Sequence, residues 1–271
     1  MGPRSGGTCG ARGPAGPVRR RRAPAIRTAG PVPARTACYY AGPVSQVPVP
    51  PARGAADHPG LFLTLEGGDG VGKTTQVRIL AETLRAEGVE VLVTREPGGT
   101  ALGAEIRRLL LDGDHVDPRA EALLYAADRA HHVATLVRPA LERGVVVVSD
   151  RYLDSSVAYQ GAARSLGVEE VRNLSLWATG GLLPDRTILL DADPALADRR
   201  AGGRGGRDRL ERELGAFRAA LREQFLALAD AEPERIVVVN AARPIDAVAA
   251  AVRRALDPLL VARLGVGGEG V

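Results

Sequence analysis

Cysteine is nearly missing from this 271-residue chain: the two present, Cys9 and Cys38, both fall within the first 56 residues. The rest of the chain can form neither a disulfide nor a cysteine metal site, which suits a reducing compartment and leads us to expect a cytoplasmic protein. Lysine is scarcer still, since Lys73 is the single lysine among 36 basic residues. No uninterrupted apolar run approaches the about 18 residues that a membrane helix needs, so no membrane association is expected. The N-terminus also lacks the apolar core of a secretory signal. The four histidines, His58, His115, His131 and His132, show no metal-ligand spacing with other ligands and read as surface or packing residues. Acids are missing from one stretch only: the first 56 residues carry nine arginines and no Asp or Glu. The net charge of +4 therefore belongs to that stretch, and the remainder stands near −5 by subtraction.

Charged residues make up 25% and apolar residues 45%, a balance that lets a soluble chain bury enough apolar surface to offset its conformational entropy. The length suits one sizeable α/β domain with an appendage. That appendage is residues 1–58, rich in Pro, Gly, Ala and Arg, with the run Arg19–Arg22 and repeated Gly-Pro and Pro-Val steps that interrupt helix and strand alike. It reads as a disordered tail. Its poverty in serine speaks against an organellar transit peptide, and its arginines would bind nucleic acid only electrostatically, so no specific nucleic-acid partner is expected.

From Leu61 onward, short apolar runs alternate with longer periodic segments, the pattern of a parallel sheet flanked by helices. Strands are expected over Leu61–Leu65, Val89–Val93, Val145–Val148, Thr187–Leu190 and Ile236–Val239, each apolar enough to be buried on both faces. Helices are expected over Thr74–Glu87, Leu102–Leu111, Arg119–Arg143, Val168–Thr179, Pro194–Arg200, Leu210–Ala229 and Ile245–Leu264. The fold class is thus α/β, a three-layer sandwich around a five-stranded parallel sheet. The domain spans 59–264, with 265–271 a flexible C-terminus.

The first strand runs directly into Gly67-Gly-Asp-Gly-Val-Gly72-Lys73-Thr74-Thr75, a G-x-x-x-x-G-K-T segment that opens a helix. This is the context a phosphate-binding loop requires. Its glycines let backbone N–H groups turn inward around phosphate, and the helix N-terminus adds partial positive charge. Lys73 can neutralise β/γ oxygens while the Thr74 hydroxyl ligates Mg²⁺. Lysine at this cramped position is not replaceable by arginine, in keeping with its lone retention here. The candidate nucleotide-binding residues are Gly67, Gly68, Asp69, Gly70, Val71, Gly72, Lys73, Thr74 and Thr75. The loop implies ATP or GTP binding but does not separate a kinase from a switch or a regulatory ATPase.

Further segments carry chemistry of their own. The third strand ends in Ser149-Asp150-Arg151, delivering a carboxylate that can hold Mg²⁺ and a guanidinium that can clamp phosphate. The bland alternative is an exposed ion pair. Arg95 precedes Glu96-Pro97-Gly98-Gly99-Thr100, a turn that permits close backbone approach and could equally be an ordinary connection. Tyr125 and Arg129 lie four apart on one helix, so they share a face that can meet a base or simply pack in the core. Asp198 to Arg209 is a glycine-rich loop studded with Arg200, Arg204 and Arg207. It reads as a mobile cover at about 199–209 or as a solvated basic loop.

Taken together, the phosphate loop, Thr94–Thr100, Ala127-Asp128-Arg129, Asp150-Arg151-Tyr152 and Ala158-Tyr159-Gln160-Gly161 resemble the thymidylate kinases from about Leu61 to about Leu259. The resemblance implies a P-loop NTPase fold, ATP as co-substrate, Mg²⁺, and transfer of the γ-phosphoryl group to dTMP. It implies a base contact for Tyr125 and Arg129, a deoxyribose neighbour in Tyr159, and acceptor-binding roles for Arg95, Pro97, Asp150, Arg151, Ser156 and Gln160. Since Asp69 is followed by Gly70 while the lid carries arginines, the chain resembles the subclass that places its catalytic arginine in the lid. Arg204 is the first choice, then Arg200 and Arg207, alongside catalytic Lys73, Asp69 and Arg151. A homodimer is also implied. The rivals are a P-loop kinase for another nucleotide or nucleoside, and a P-loop regulatory ATPase. The first would be separated by a panel of acceptors; the arginine-rich lid argues against the second.

Overall fold

The computed structural model describes residues 58–201 and 215–266. The N-terminal tail, Arg204, Arg207 and the expected flexible C-terminus from residue 267 lie outside them. The short apolar runs form strands because β-branched and leucine side chains fill both faces of a parallel sheet. They are β1 (Leu61–Glu66), β2 (Val91–Arg95), β3 (Val146–Asp150), β4 (Arg186–Asp191) and β5 (Ile236–Asn240). All pairings are parallel, in the order β2-β3-β1-β4-β5. Pleating sends Leu61, Leu63 and Leu65 into one apolar layer and Phe62 into the other. Helices cover both layers, giving the three-layer sandwich.

The helices are α1 (Lys73–Ala86), α2 (Ala101–Leu111), α3 (Pro118–His132), α4 (Arg138–Glu142), α5 (Leu153–Ser156), α6 (Val168–Thr179), α7 (Pro194–Ala201), α8 (Gly215–Ala231) and α9 (Ile245–Leu264). Three departures from the sequence reading have physical causes. The second strand begins at Val91 rather than Val89, because Gly88 takes φ 83° after α1 and Val89 N–H turns back to Leu84 O (3.0 Å). The helix expected over 119–143 is interrupted by a π turn at Val133–Val137, which ends two residues before Pro139, a residue with no N–H for the helical ladder. A helix not expected at all covers Leu153–Ser156 and continues as a π turn over Val157–Ala163. Its serines and Gly161 weaken the helical signal, and packing of Leu153 and Val157 into the core supplies what propensity does not. The expected start of the next-to-last helix, Leu210, lies outside the described residues.

The two ends of the body are clasped together. Arg263, in the last turn of α9, donates to His58 O (3.0 Å) and Gly60 O (2.7 Å), and to Asp185 Oδ1 (3.3 Å). Asp185 Oδ2 in turn accepts the Phe62 N–H at 2.6 Å. Among the described residues no helix is long and apolar enough to cross a membrane.

Candidate active site

All five strands present their C-terminal ends at one edge, where open α/β sheets bind ligands. There β1 runs into a loop that takes positive φ at Gly67 (130°), Gly70 (78°) and Gly72 (101°) before α1 starts at Lys73. A Cβ on Gly67 would lie 2.4 Å from the Leu190 carbonyl oxygen, so only glycine lets the loop pass β4. Val71 is anchored in the core beside α1, while Thr75 is half-buried in the first turn. Lys73 Nζ donates to Gly67 O (3.0 Å) and Gly68 O (2.7 Å). Burial first, and then the charge of Arg151, pushes its ammonium down to about 8, against the pull of Asp69, Asp150 and Glu66. Thr74 Oγ1 donates to Asp150 Oδ2 at 2.7 Å, so the loop hydroxyl and the carboxylate ending β3 meet.

Arg151 takes a left-handed conformation, φ 71°, which turns its guanidinium back over the loop. Nη1 donates to Gly67 O (3.0 Å) and Ser155 Oγ (2.9 Å), and Nη2 donates to Asp69 Oδ1 and to Tyr159 Oη (3.2 Å). The Tyr159 hydroxyl donates to Asp69 Oδ2 at 3.0 Å, closing a ring of three side chains. Burial alone would raise the Asp69 carboxyl, but Arg151 and Lys73 outweigh it and hold the group below the usual carboxylate range.

The residue that fixes this turn escaped the sequence reading. Glu66, the last residue of β1, is buried; its Oε1 accepts the N–H of Tyr152 (2.7 Å) and of Ser155 (3.3 Å), and its Oε2 accepts the Ser155 hydroxyl (2.6 Å). Burial, and next Asp154, push it up to about 7. Asp154 is itself held by both Nη groups of Arg235 at 2.7 Å. A charged residue closing an otherwise apolar buried strand was the available signal for Glu66.

One cavity extends from Asp69, Gly70, Lys73 and Thr74 to Arg95, Pro97, Tyr125, Arg129, Ser156, Tyr159 and Gln160. Tyr159 and Gln160 ride on the π turn that follows α5, whose extra residue re-aims side chains toward the cavity. Tyr125 satisfies both readings of its helix face, lining the cavity while packing against the apolar layer. Arg95 is exposed at this cavity. Arg107 on α2, which no motif marked, adds a second guanidinium and donates to Pro97 O (3.1 Å).

Arg129 does not present an open guanidinium plane. It is 1% exposed, and Nε donates to Glu96 Oε2 (2.7 Å), Nη1 to Ser175 Oγ (3.0 Å), and Nη2 to Tyr152 O (3.2 Å) and Ser156 Oγ (3.1 Å). The cause is Glu96, a buried carboxylate that needs a buried counter-charge. These bonds use four of its five N–H groups, and one on Nη1 remains on a residue that lines the cavity. Glu96 Oε1 also pairs with His132 Nδ1 (2.8 Å), whose Nε2 meets Thr94 Oγ1 (2.7 Å). His132 is thus a fully buried link between the end of α3 and the end of β2 with the turn that follows it. Beside it Asp128 is buried, and burial, then Glu96, push it up to about 6 against the pull of His132, Arg129 and the Gly98 N–H.

Arg200 on α7 lies apart from this cavity, donating to Ala241 O (2.7 Å) and Ala242 O (3.3 Å) just past β5. Arg204 and Arg207 fall outside the described residues. Among the described residues no three His, Cys, Asp or Glu side chains cluster as a metal site. The arrangement therefore offers a phosphate loop and a second polar chamber joined by one guanidinium, suited to passing a phosphoryl group between two bound molecules.

The family model for thymidylate kinase matches residues 65–252. The thymidylate kinase of Clavibacter michiganensis subsp. michiganensis is 60% identical over 205 residues, covering 75% of this chain and 97% of the relative. That of Leifsonia xyli subsp. xyli is 63% identical over 204 residues, covering 74% and 96%. The crystal structure of thymidylate kinase from Ehrlichia chaffeensis aligns with a TM-score of 0.60 at 31% identity, over 73% of this chain and 98% of that one. With sequence and architecture in agreement over nearly the whole length of these relatives, the chain belongs to the thymidylate kinase family.

Proposed function

We infer that this chain transfers the γ-phosphoryl group of ATP to dTMP, giving dTDP and ADP, in the cytoplasmic supply of dTTP. The observation that carries the reading is Arg151, whose guanidinium touches the nucleotide loop at Gly67 and Asp69 and the acceptor wall at Tyr159 and Ser155. An acceptor phosphate oxygen forms a bond to the γ-phosphorus as the bond to the β,γ-bridging oxygen breaks, and ADP departs with that electron pair. A phosphate monoester is already largely dianionic at neutral pH (second pKa about 6), so the attacking oxygen needs no strong base. The protein's part is positioning and charge neutralisation by Lys73 and Arg151. Asp69, held by Arg151 and Tyr159, orients the acceptor. Tyr159 places its bulk beside the deoxyribose, where it disfavours a 2′-hydroxyl.

The Thr74 hydroxyl and the Asp150 carboxylate fit Mg²⁺, being hard oxygen donors already in contact at 2.7 Å. When bound, the ion would neutralise charge on the β and γ oxygens. We assign the catalytic lid arginine to Arg204 from the sequence; Arg204→Ala is expected to lower kcat far more than it raises KM. A homodimer is supported by large apolar side chains left exposed on neighbouring helices, Leu102 and Leu109 on α2, Leu123 on α3 and Trp177 on α6.

The test is ADP release from ATP and Mg²⁺ with dTMP, dUMP, thymidine, dCMP, GMP and no acceptor in parallel. Strong stimulation by dTMP, above dUMP, is expected. Acceptor-independent hydrolysis, or stimulation by thymidine instead, overturns the reading.

A further inference from the structure

We propose that Glu121 sets the acceptor-base preference by fixing which end of the Gln160 amide faces the cavity; this rests on the reading that the cavity takes a pyrimidine monophosphate. Glu121 lies on α3, four residues before Tyr125 and eight before Arg129, so all three share one helix face. Its side chain is wholly buried, and its Oε1 is 2.9 Å from Gln160 Nε2. Arg164 Nε stands 3.5 Å from the same oxygen as counter-charge. With the Arg164 guanidinium set against the same oxygen, Glu121 Oε1 is an acceptor, so the amide nitrogen is the end that faces it. This settles an amide orientation that the heavy-atom positions of a glutamine leave ambiguous.

The consequence reaches the cavity, which Gln160 lines. With its nitrogen facing Glu121, to which it gives one of its two N–H groups, Gln160 turns its other end, the acceptor Oε1, to the ligand, and among the described residues nothing donates to that oxygen. Beside it Arg129 retains one N–H donor. An acceptor next to a donor matches a pyrimidine-2,4-dione, whose ring N–H donates and whose neighbouring carbonyl accepts. Cytosine presents the reverse pair, an acceptor nitrogen and an amino donor. A buried site built for one pattern rejects the other because both partners are left unpaired. Glu121 therefore acts as a positioning residue through Gln160, without touching the substrate.

The experiment compares wild type and Glu121→Met, which removes the obligate acceptor at similar length, by kcat/KM on dTMP, dUMP and dCMP with thermal unfolding alongside. Wild type should favour both diones over dCMP. In the variant the dTMP-to-dCMP and dUMP-to-dCMP ratios should fall together by at least about tenfold, mainly through KM for the diones. Equal losses on all three acceptors with the ratios kept would mean Glu121 is merely structural and would overturn the proposal. A wild type that uses neither dTMP nor dUMP would instead overturn the functional reading.

Should the variant not fold, wild-type protein labelled with [15N]glutamine decides, since the chain has only four glutamines. The Gln160 side-chain amide, assigned by its loss in Gln160→Glu, should be slow to exchange and nearly unmoved by dTMP. A large dTMP-induced shift of those N–H signals would show them donating to the base and would refute the assignment.

Discussion

Replacing Glu66 with glutamine isolates a charge that folding buries at a loss. Glu66 is 1% exposed, and its carboxyl is moved from its ordinary 4.5 to about 7, by burial first and by Asp154 second. Between those values the native state keeps a proton that the unfolded chain has released. The contribution to stability is therefore fully present below pH 4.5 and is lost as the pH rises to about 7. At about 1.4 kcal/mol per pH unit, the interval amounts to about 3 kcal/mol. Glutamine still offers an oxygen to the N–H groups of Tyr152 and Ser155, and its amide can donate to the Ser155 hydroxyl, so the turn can keep its shape. Urea unfolding of both proteins from about pH 5 to about pH 8 reads the effect, because titrating groups that do not interact with Glu66 are common to both and cancel in the difference. The variant's stability relative to wild type should improve by about 2–3 kcal/mol across that range. A gap that stays constant would mean that Glu66 titrates alike in the folded and unfolded chain, and the electrostatic account of the turn would fail.

Other substitutions probe other parts of the site. Arg129→Met strands Glu96 without its buried counter-charge and should cost about 3–5 kcal/mol in chemical denaturation; a cost within 1 kcal/mol would contradict the pairing. Gly103→Ala puts a methyl group 2.1 Å from Asp128 Oδ1 and 3.1 Å from Thr100 Oγ1, so it should destabilise by about 1–3 kcal/mol and raise KM for dTMP by shifting the 97–100 turn. An unchanged melting temperature would show that Asp128 has room to move. Lys73→Ala should cut kcat at least about a hundredfold, measured by ADP release at saturating dTMP; retention of most of the rate would remove the lysine from the mechanism.

The sheet was legible because parallel strands are apolar at nearly every position, and each of the five expected strands is present with no end moved by more than two residues. The phosphate loop was legible because its glycines, Lys73 and Thr74 answer a single requirement. What stayed hidden depends on pairing between distant segments. Glu66, Glu96, Glu121 and Asp154 are buried carboxylates whose partners lie 33 to 89 residues away, and no periodicity reports such a pair. Arg129 shows the converse: its four-residue spacing from Tyr125 located it beside the cavity, yet only the position of Glu96 reveals that most of its hydrogen-bonding capacity faces inward. The helix after Tyr152 was missed for a third reason, since tertiary burial of Leu153 and Val157 overrides a weak local preference.

The clasp made by Arg263 gives the body the connectivity of a near-closed ring. A carbonyl at residue 58 and a guanidinium at residue 263 are one hydrogen bond apart, so the break in the ring could stand elsewhere without changing which strands are neighbours. The exposed turn at Asp112, Gly113 and Asp114, between α2 and α3, is such a place. A permuted chain with residues 58 and 266 joined by a short linker and reopened at that turn is expected to unfold in urea in one cooperative transition. It would still run β1 unbroken through the phosphate loop into α1, the order of segments that nucleotide binding needs.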